Sequence, residues 1–177
     1  TDEYTYHRST SEPWKVTLAE TGLYTMTGGR IKRVKEYIGN ETFLLTYGDG
    51  VSDVNIADTV RFHRQHGKLL TMTTVNVASR FGGIKPDKNG LIKSFREKAD
   101  SDGSLINAGY MVCEPEVLDY ISGDDTIFEK EPLETLAKEG QLMAYRHDGF
   151  WKCMDTMRDK EQLEALWCTG RAEWKTW

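Results

Sequence analysis

Short apolar runs alternate along this chain with stretches of helical periodicity, and this alternation restricts the fold more than any other feature. Thr42–Tyr47 and Leu69–Val77 are apolar or β-branched runs of strand length, whereas Ile31, Val34 and Ile38 recur at helical spacing. Strands and helices that alternate in this way indicate an α/β domain with helices packed on a sheet. Because the 177 residues contain no internal repeat or low-complexity linker, we expect residues 1–177 to form a single domain.

Turn and capping residues place the remaining elements. Thr42–Tyr47 is nearly continuous in apolar character and predicts a central strand covered on both faces. The other predicted strands are Trp14–Leu18, Leu91–Arg96, Ile106–Cys113 and Gln141–His147, and further helices are predicted from Pro115, over Pro132–Lys138 and from Thr156. The predicted helix caps are Thr27, either Asp53 or Asn55, and Thr156 in a capping box with Asp159.

Charge and composition exclude several classes of partner. The net charge of -5 and a pI near 5.4 argue against nucleic acid, which needs a basic surface, but not against small phosphorylated ligands. We expect no membrane association, because no apolar run approaches the roughly 18 residues of a membrane helix and no export signal opens the chain. The three cysteines have no Cys-x-x-Cys spacing, which favours a reducing cytoplasm.

Two aspartates in loops are the strongest candidates for metal chemistry. Asp49 lies between Gly48 and Gly50 after an apolar strand, where a carboxylate could hold Mg²⁺, although the same tripeptide could be a plain turn. Asp155 precedes the last helix, and taken alone it is better explained as a cap. Together the two carboxylates could bind one metal ion, with phosphate oxygens completing its coordination.

Weaker candidates follow other strands. Glu97 and Lys98 could bind sugar hydroxyls and a phosphate, but without other information a solvated charge pair explains them better. Asn107 and Gly109 could bring an amide and bare backbone to a ligand, or could form a strand-entry turn. The Gly28–Gly29 pair before a helix is a weak signal of anion binding.

Two histidines, His63 and His66, are three residues apart on a predicted helix. A metal site would need a third ligand at a suggestive spacing, and the sequence offers none. We therefore expect a polar helix face at this position.

Taken in order, the candidate motifs resemble those of sugar-1-phosphate nucleotidylyltransferases. The resemblance covers essentially the whole chain, and residues near both ends favour the glucose-1-phosphate cytidylyltransferase branch. The motifs shared with the family are Thr46–Asp53, Phe95–Lys98, Ile106–Tyr110 and Gly149–Thr156. The segments that resemble the branch are Glu12–Arg30 and Ala172–Trp177.

The resemblance implies a fold and a reaction. The fold is a Rossmann-type α/β domain of the nucleotide-diphospho-sugar transferase kind, with a mixed sheet flanked by helices. The reaction is Mg²⁺-dependent transfer of a cytidylyl group from CTP to α-D-glucose 1-phosphate, which gives CDP-glucose and pyrophosphate. The resemblance also implies a homo-oligomer, and a downstream use in making a surface polysaccharide such as O-antigen.

The same resemblance implies roles for individual residues. Asp49 and Asp155 would hold the metal ion and, with Lys98, form the catalytic set. The expected substrate contacts are Glu97, Asn107, Gly109 and Tyr47 for the sugar, Lys98 for its phosphate, and Thr27, Gly28, Gly29 and Arg30 for the nucleotide.

Two departures from the family pattern qualify these expectations. The family opens with a strand and a Gly-Gly-x-Gly-Thr-Arg loop that cradles the nucleotide phosphates, and neither is present, so the chain corresponds to a partial domain. We therefore expect these 177 residues alone to be inactive and to expose an apolar sheet edge. The second departure is Ala99, which stands where the family usually has proline.

Two other functions remain open. A glycosyltransferase that uses a nucleotide sugar would also place aspartate at a metal, but usually as Asp-x-Asp, whereas Asp49 and Asp53 are four residues apart. A non-catalytic homologue that serves as a regulatory or oligomerisation subunit is the other alternative, and the retained aspartates with Lys98 argue against it.

Overall fold

The computed structural model describes residues 14–76, 84–95 and 105–176. The α-helices are α1 (Thr27–Arg33), α2 (Lys35–Ile38), α3 (Ile56–His66), α4 (Glu131–Lys138) and α5 (Met157–Cys168), with a 3-10 helix at Pro115–Tyr120. The strands are β1 (Phe43–Thr46), β2 (Gly50–Ser52), β3 (Leu70–Asn76), β4 (Ile84–Pro86), β5 (Ile92–Phe95), β6 (Leu105–Cys113), β7 (Leu142–His147) and β8 (Trp151–Cys153).

A six-stranded mixed sheet forms the centre of the described structure. Five strands follow the order β5-β4-β6-β3-β7, and β1 pairs with β6. Strand β3 runs parallel to β7 but antiparallel to β6, with Leu70 opposite Leu142 on one side and Cys113 on the other. Helices pack against this sheet, so the predicted α/β class with a mixed sheet is confirmed.

The hydrophobic core lies between this sheet, the 3-10 helix and α4. Its side chains are almost fully buried, and each large aliphatic or aromatic one contributes roughly 1.5–3 kcal/mol relative to an exposed side chain. The largest members are Phe128, Leu70, Met72, Ile92, Leu118, Ile121, Leu133, Leu136 and Leu142. This core supports the strand ends from which the candidate site residues project.

Strand β1 is not the covered central strand that its apolar run predicts. In the described residues it pairs with β6 alone, and its side chains alternate between half-buried and exposed, with Leu44 57% exposed. An apolar run shows that a segment favours a strand but does not show how many neighbours the strand has.

The predicted strand at Trp14–Leu18 is absent. This segment has no regular structure, and Trp14 and Leu18 are 78% and 88% exposed. Alternation favours an extended chain, but a strand also needs a partner for its backbone hydrogen bonds, and the described residues supply none here.

Two helix caps confirm the sequence prediction. Asn55 caps α3, since its side chain accepts a hydrogen bond from the backbone N–H of Asp58 at 3.1 Å. Thr156 and Asp159 form the predicted capping box at the start of α5. Local side chains determine both caps, so neither depends on distant packing.

One predicted helix cap was wrong. Thr27 is the first residue of α1 rather than its cap, and its hydroxyl bonds to a distant part of the chain. The helix predicted from Pro115 is confirmed, as a 3-10 helix over Pro115–Tyr120. Among the described residues, no helix is both long enough and apolar enough to cross a membrane.

A small two-stranded sheet, formed by β2 and β8, escaped the sequence analysis. Gly50 pairs with Cys153 and Ser52 with Trp151 in antiparallel register. The two strands are each three residues long, too short for periodicity to reveal. Their pairing matters because it brings the loop before β2 next to the loop after β8.

Candidate functional site

The predicted site residues divide into those that the structure describes and those that it does not. Glu97 and Lys98 lie outside the described residues. The other predicted positions are Asp49, Asp155, Thr27, Gly28, Gly29, Arg30, Tyr47, Asn107 and Gly109, and all of these are described.

The two metal-type aspartates come from loops that are joined by their main chains. The backbone N–H of Met154 donates to the carbonyl oxygen of Asp49 at 2.7 Å, which continues the ladder between β2 and β8 by one residue. Asp155 is the next residue along, and both aspartates are exposed. Residues 106 positions apart in sequence are thereby placed in adjacent loops.

The donor set at these loops suits a hard divalent cation. Carboxylate oxygens are ligands that Mg²⁺ prefers, and two of them leave most octahedral positions for phosphate oxygens and water. In the described parts of the chain, no cluster of three or more acidic, histidine or cysteine side chains is arranged to hold a metal by itself. A cation held by Asp49 and Asp155 would take its remaining oxygen ligands from water or a bound molecule.

Cys153 hydrogen-bonds to one of these aspartates. Its Sγ donates to Oδ2 of Asp155 at 3.3 Å. Burial raises the pKa of the Cys153 thiol to about 11, with a further contribution from the Asp155 carboxylate. The thiol is therefore neutral near pH 7 and acts as a donor that orients Asp155.

Two aromatic side chains attach the small sheet to the main one. The Tyr110 hydroxyl donates to the carbonyl oxygen of Gly50 at 2.7 Å, and Nε1–H of Trp151 donates to the carbonyl oxygen of Ala108 at 2.8 Å. Tyr110 and Ala108 belong to β6. The aspartate loops are therefore held in a fixed relation to the strand that carries Asn107 and Gly109.

Tyr47, Asn107 and Gly109 form one hydrogen-bonded group. The Asn107 side chain donates through Nδ2 to the Tyr47 hydroxyl at 3.2 Å and accepts from the Gly109 N–H through Oδ1 at 2.8 Å. The Tyr47 N–H donates to the Gly109 carbonyl oxygen at 3.0 Å. Three residues predicted to lie near the sugar are thus brought together.

Gly109 has a conformation that explains its identity. Its φ of +79° lies in the left-handed region, which side chains rarely adopt. A Cβ added here would lie 2.8 Å from Cδ2 of Tyr47. Glycine therefore allows both the turn of the backbone and the close approach of the tyrosine ring.

Glu129 connects this group to helix α1 and was missed by the sequence analysis. Its Oε1 accepts from the Tyr47 hydroxyl at 2.6 Å, and its Oε2 accepts from the Thr27 hydroxyl at 2.7 Å. Thr27 and Tyr47 were predicted to contact the nucleotide and the sugar. The carboxylate of Glu129 therefore joins the two predicted ends of the site.

Gly28 and Gly29 are buried against the loop that precedes Glu129. The Gly28 N–H donates to the Thr126 carbonyl oxygen at 2.9 Å, and a Cβ on Gly28 would lie 2.8 Å from that oxygen. A Cβ on Gly29 would lie 2.6 Å from Cα of Asp124. Close packing accounts for both glycines, and their contact with a nucleotide stays a prediction.

Arg30 binds the chain that precedes its own helix. Its guanidinium donates to the Thr21 hydroxyl at 2.7 Å and to the Leu23 carbonyl oxygen at 3.2 Å. Both bonds are exposed, so the side chain could exchange them for a phosphate. Its predicted contact with the nucleotide also stays a prediction.

His63 and His66 take part in a hydrogen-bonded network, not in an exposed polar face. His63 is 1% exposed, with Nδ1 2.8 Å from the Thr71 hydroxyl and Nε2 2.9 Å from Oε1 of Glu114. Because both ring nitrogens have hydrogen-bond partners, the buried ring leaves no polar atom unsatisfied and needs no metal ion. The predicted polar helix face was therefore wrong for His63.

Comparison with known proteins identifies the family of this chain. Residues 9–165 match the family described as Nucleotidyl transferase. The chain is 52% identical over 172 residues to the glucose-1-phosphate cytidylyltransferase of Salmonella typhimurium, covering 97% of this chain and 66% of that protein. It is 45% identical to the probable glucose-1-phosphate cytidylyltransferase of Bacillus subtilis, covering 94% of this chain and 65% of that protein. The chain thus spans about two thirds of the length of these relatives.

Solved structures give the same fold. The structure of apo UDP-glucose pyrophosphorylase matches with a TM-score of 0.72 at 19% identity, over 85% of this chain and 63% of that one. This likeness confirms the predicted nucleotide-diphospho-sugar transferase fold. Since the family match extends over most of the sequence, this chain belongs to the nucleotidyl transferase family.

Proposed function

We propose that this chain is part of an enzyme that transfers a cytidylyl group from CTP to α-D-glucose 1-phosphate, giving CDP-glucose and pyrophosphate. The observation that carries the proposal is the joining of the Asp49 and Asp155 loops beside β6, the strand that carries Asn107 and Gly109. The cytidylyltransferases of Salmonella typhimurium and Bacillus subtilis, similar along nearly the whole chain, support CTP and glucose 1-phosphate as substrates.

In the proposed reaction, an oxygen of the sugar phosphate attacks the α-phosphorus of CTP and pyrophosphate leaves. Phosphoryl transfer of this kind needs positioning and charge stabilisation more than a protein nucleophile. Asp49 and Asp155 would hold Mg²⁺, which supplies positive charge at the phosphate oxygens when it is bound. The exposed position of both carboxylates at adjacent loops supports this assignment.

The remaining residues would bind and orient the substrates. Asn107, Gly109 and Tyr47 would contact the glucosyl group, and Glu97 would accept from its hydroxyls. Lys98 would offset the charge of the sugar phosphate. Thr27, Gly28, Gly29 and Arg30 would lie near the nucleotide. The hydrogen bonds that connect Thr27 to Tyr47 through Glu129, and Tyr47 to Asn107, support a shared pocket.

The deciding experiment measures pyrophosphate release by the full-length protein with Mg²⁺ and glucose 1-phosphate, with CTP, UTP and dTTP in parallel. We expect release with CTP and little with the others. Release with UTP or dTTP instead would keep the class of reaction and overturn the base assignment. A folded protein that releases none with any nucleotide would overturn the proposal. Size-exclusion chromatography with light scattering, run on the same sample, tests whether the protein is a homo-oligomer, as the family resemblance implies.

A further inference from the structure

Glu129 lies at the meeting point of three elements that are distant in sequence. It precedes α4 by two residues, and its side chain is half-buried. One carboxylate oxygen accepts from Tyr47 at the end of β1, and the other accepts from Thr27 at the start of α1. At 2.6 and 2.7 Å, both bonds have the short lengths typical of hydroxyl donors on an ionised carboxylate.

The hydrogen bonds around Glu129 run in one direction. The Thr27 hydroxyl accepts from the Phe128 N–H at 2.9 Å, so its single proton points to Glu129. The Tyr47 hydroxyl accepts from the Asn107 amide at 3.2 Å and likewise donates to Glu129. A carboxylate accepts at both oxygens, so Glu129 is the final acceptor of both series of hydrogen bonds.

We propose that Glu129 is a positioning residue that orients Tyr47 and Thr27, and through Tyr47 also Asn107, for the two substrates of the transfer reaction. The inference rests on the proposed function, because it takes these three side chains as substrate contacts. Glu129 itself acts through them. By accepting from both hydroxyls, it fixes the direction of each O–H bond and so holds the Tyr47 and Thr27 side chains in one orientation.

Among the described residues Glu129 makes no ion pair, and each of its carboxylate oxygens accepts from a hydroxyl instead. Glutamine offers one acceptor oxygen and one amide donor, so it cannot accept from both Tyr47 and Thr27. Glu129→Gln therefore keeps the volume of the side chain but replaces one of its two acceptor oxygens with a donor and removes the negative charge.

The test uses the full-length protein and steady-state pyrophosphate release with CTP and glucose 1-phosphate varied in turn. We expect Glu129→Gln to lower kcat/KM for glucose 1-phosphate by about 10- to 100-fold, the loss that a small misplacement of a reacting group produces. The melting temperature should stay close to that of the wild type. Glu131→Gln is the matched control, because Glu131 is exposed in the same segment, and it should keep normal kinetics.

A double-variant cycle separates positioning from a structural role. Tyr47→Phe removes the hydroxyl through which Glu129 acts on the sugar side of the site, so for kcat/KM with glucose 1-phosphate, Glu129→Gln combined with Tyr47→Phe should be little worse than the poorer single variant. Losses that multiply would overturn the inference, as would a loss that follows the fraction of unfolded protein. Glu129→Asp serves if Glu129→Gln does not fold, since a side chain one methylene shorter cannot reach both hydroxyls and should lower kcat/KM.

The outcomes distinguish the two proposals. An active wild type with unchanged kinetics in Glu129→Gln or a folded Glu129→Asp overturns the role of Glu129 alone. A wild type that is inactive with CTP, UTP and dTTP overturns the proposed function, and the inference with it.

Discussion

Met154 donates its backbone N–H to the carbonyl oxygen of Asp49 at 2.7 Å, so main-chain atoms hold the two candidate metal loops together. Neither aspartate side chain takes part in this contact. Tyr110 adds a second link by donating to Gly50 at the start of β2. Binding and folding are therefore separable at this site, because a changed carboxylate leaves these links in place.

Replacing either metal-type aspartate should abolish catalysis without unfolding the protein. We expect Asp49→Asn and Asp155→Asn in the full-length protein to lower kcat by about 100-fold or more, because a neutral amide is a far weaker ligand for Mg²⁺. The melting temperature should remain within a few degrees of the wild type. Pyrophosphate release and thermal unfolding, measured on the same samples, check both parts.

Asp148→Asn is the control for these two variants. Asp148 is exposed and pairs only with the exposed Arg146 in the described structure, a kind of contact that contributes little. We expect normal turnover from this variant. Near-normal turnover from both Asp49→Asn and Asp155→Asn would contradict the metal assignment.

Local sequence signals predicted the elements whose causes are local. The cap at Asn55 and the capping box at Thr156 were readable because the residues that form them lie within three positions of one another. The position of strand β1 was predicted correctly, but its predicted place in the centre of the sheet was wrong, because strand pairing depends on residues far away in sequence. The same limit hid β2 and β8, whose partners are about 100 residues apart.

Glu129 shows the same limit within the site. It lies in Phe128-Glu129-Lys130-Glu131, a charged stretch that is typical of a solvated surface. Its partners Tyr47 and Thr27 are 82 and 102 residues away. No periodicity or spacing connects positions so distant, whereas Asp49 stood out because glycines flank it. Resemblance to a family implied substrate contacts for Tyr47 and Thr27 but did not point to the residue that joins them.

Gly109→Ala should damage both stability and activity. The substitution forces a side chain into a φ of +79° and places a Cβ 2.8 Å from the Tyr47 ring. We expect a loss of about 1–3 kcal/mol in the free energy of unfolding, with a raised KM for glucose 1-phosphate as Tyr47 moves. Urea unfolding and steady-state kinetics measure the two effects.

Gly67→Ala separates the cost of conformation from that of the contact. Gly67 has a φ of +61° but nothing within 4 Å of an added Cβ. Gly67→Ala should lower the free energy of unfolding by about 1 kcal/mol and leave the KM for glucose 1-phosphate unchanged. If Gly109→Ala shows the same kinetics as Gly67→Ala, the close approach of Tyr47 has no part in substrate binding.

Gly29→Ala should separate α1 from the loop that precedes Glu129. A Cβ at this position would lie 2.6 Å from both Cα and the carbonyl oxygen of Asp124, and backbone atoms cannot give way as a flexible side chain can. We expect a loss of about 1–3 kcal/mol in urea unfolding. Gly123 lies in the same loop and has open space where a Cβ would stand, so Gly123→Ala should lower the free energy of unfolding much less. Equal losses would show that the packing of α1 is not the cause.

His66 has a protonation state that its neighbours define. The Lys68 N–H donates to Nδ1 at 2.9 Å, so this nitrogen must carry a lone pair, and Nε2 then donates to the Thr71 hydroxyl at 2.6 Å. Burial lowers the pKa of His66 to about 4, with smaller contributions from His63 and Lys68. The folded protein therefore holds a neutral ring that the unfolded chain would protonate near pH 6.5.

Stability should consequently fall as the pH is lowered through the range between these two values. Above about pH 6.5 the ring is neutral in both states, whereas from there down to about pH 4 only the unfolded chain takes up the proton. Because His66 is only half-buried, solvent screens the effect, and we expect it to contribute about 1–2 kcal/mol between pH 7 and pH 4.5. His66→Gln cannot titrate at this position. Measured by urea unfolding, its free energy of unfolding should therefore fall by about 1–2 kcal/mol less than that of the wild type between pH 7 and pH 4.5. Arg64→Gln, an exposed change in the same helix, should keep the wild-type dependence, and an identical dependence in His66→Gln would exclude His66 as its source.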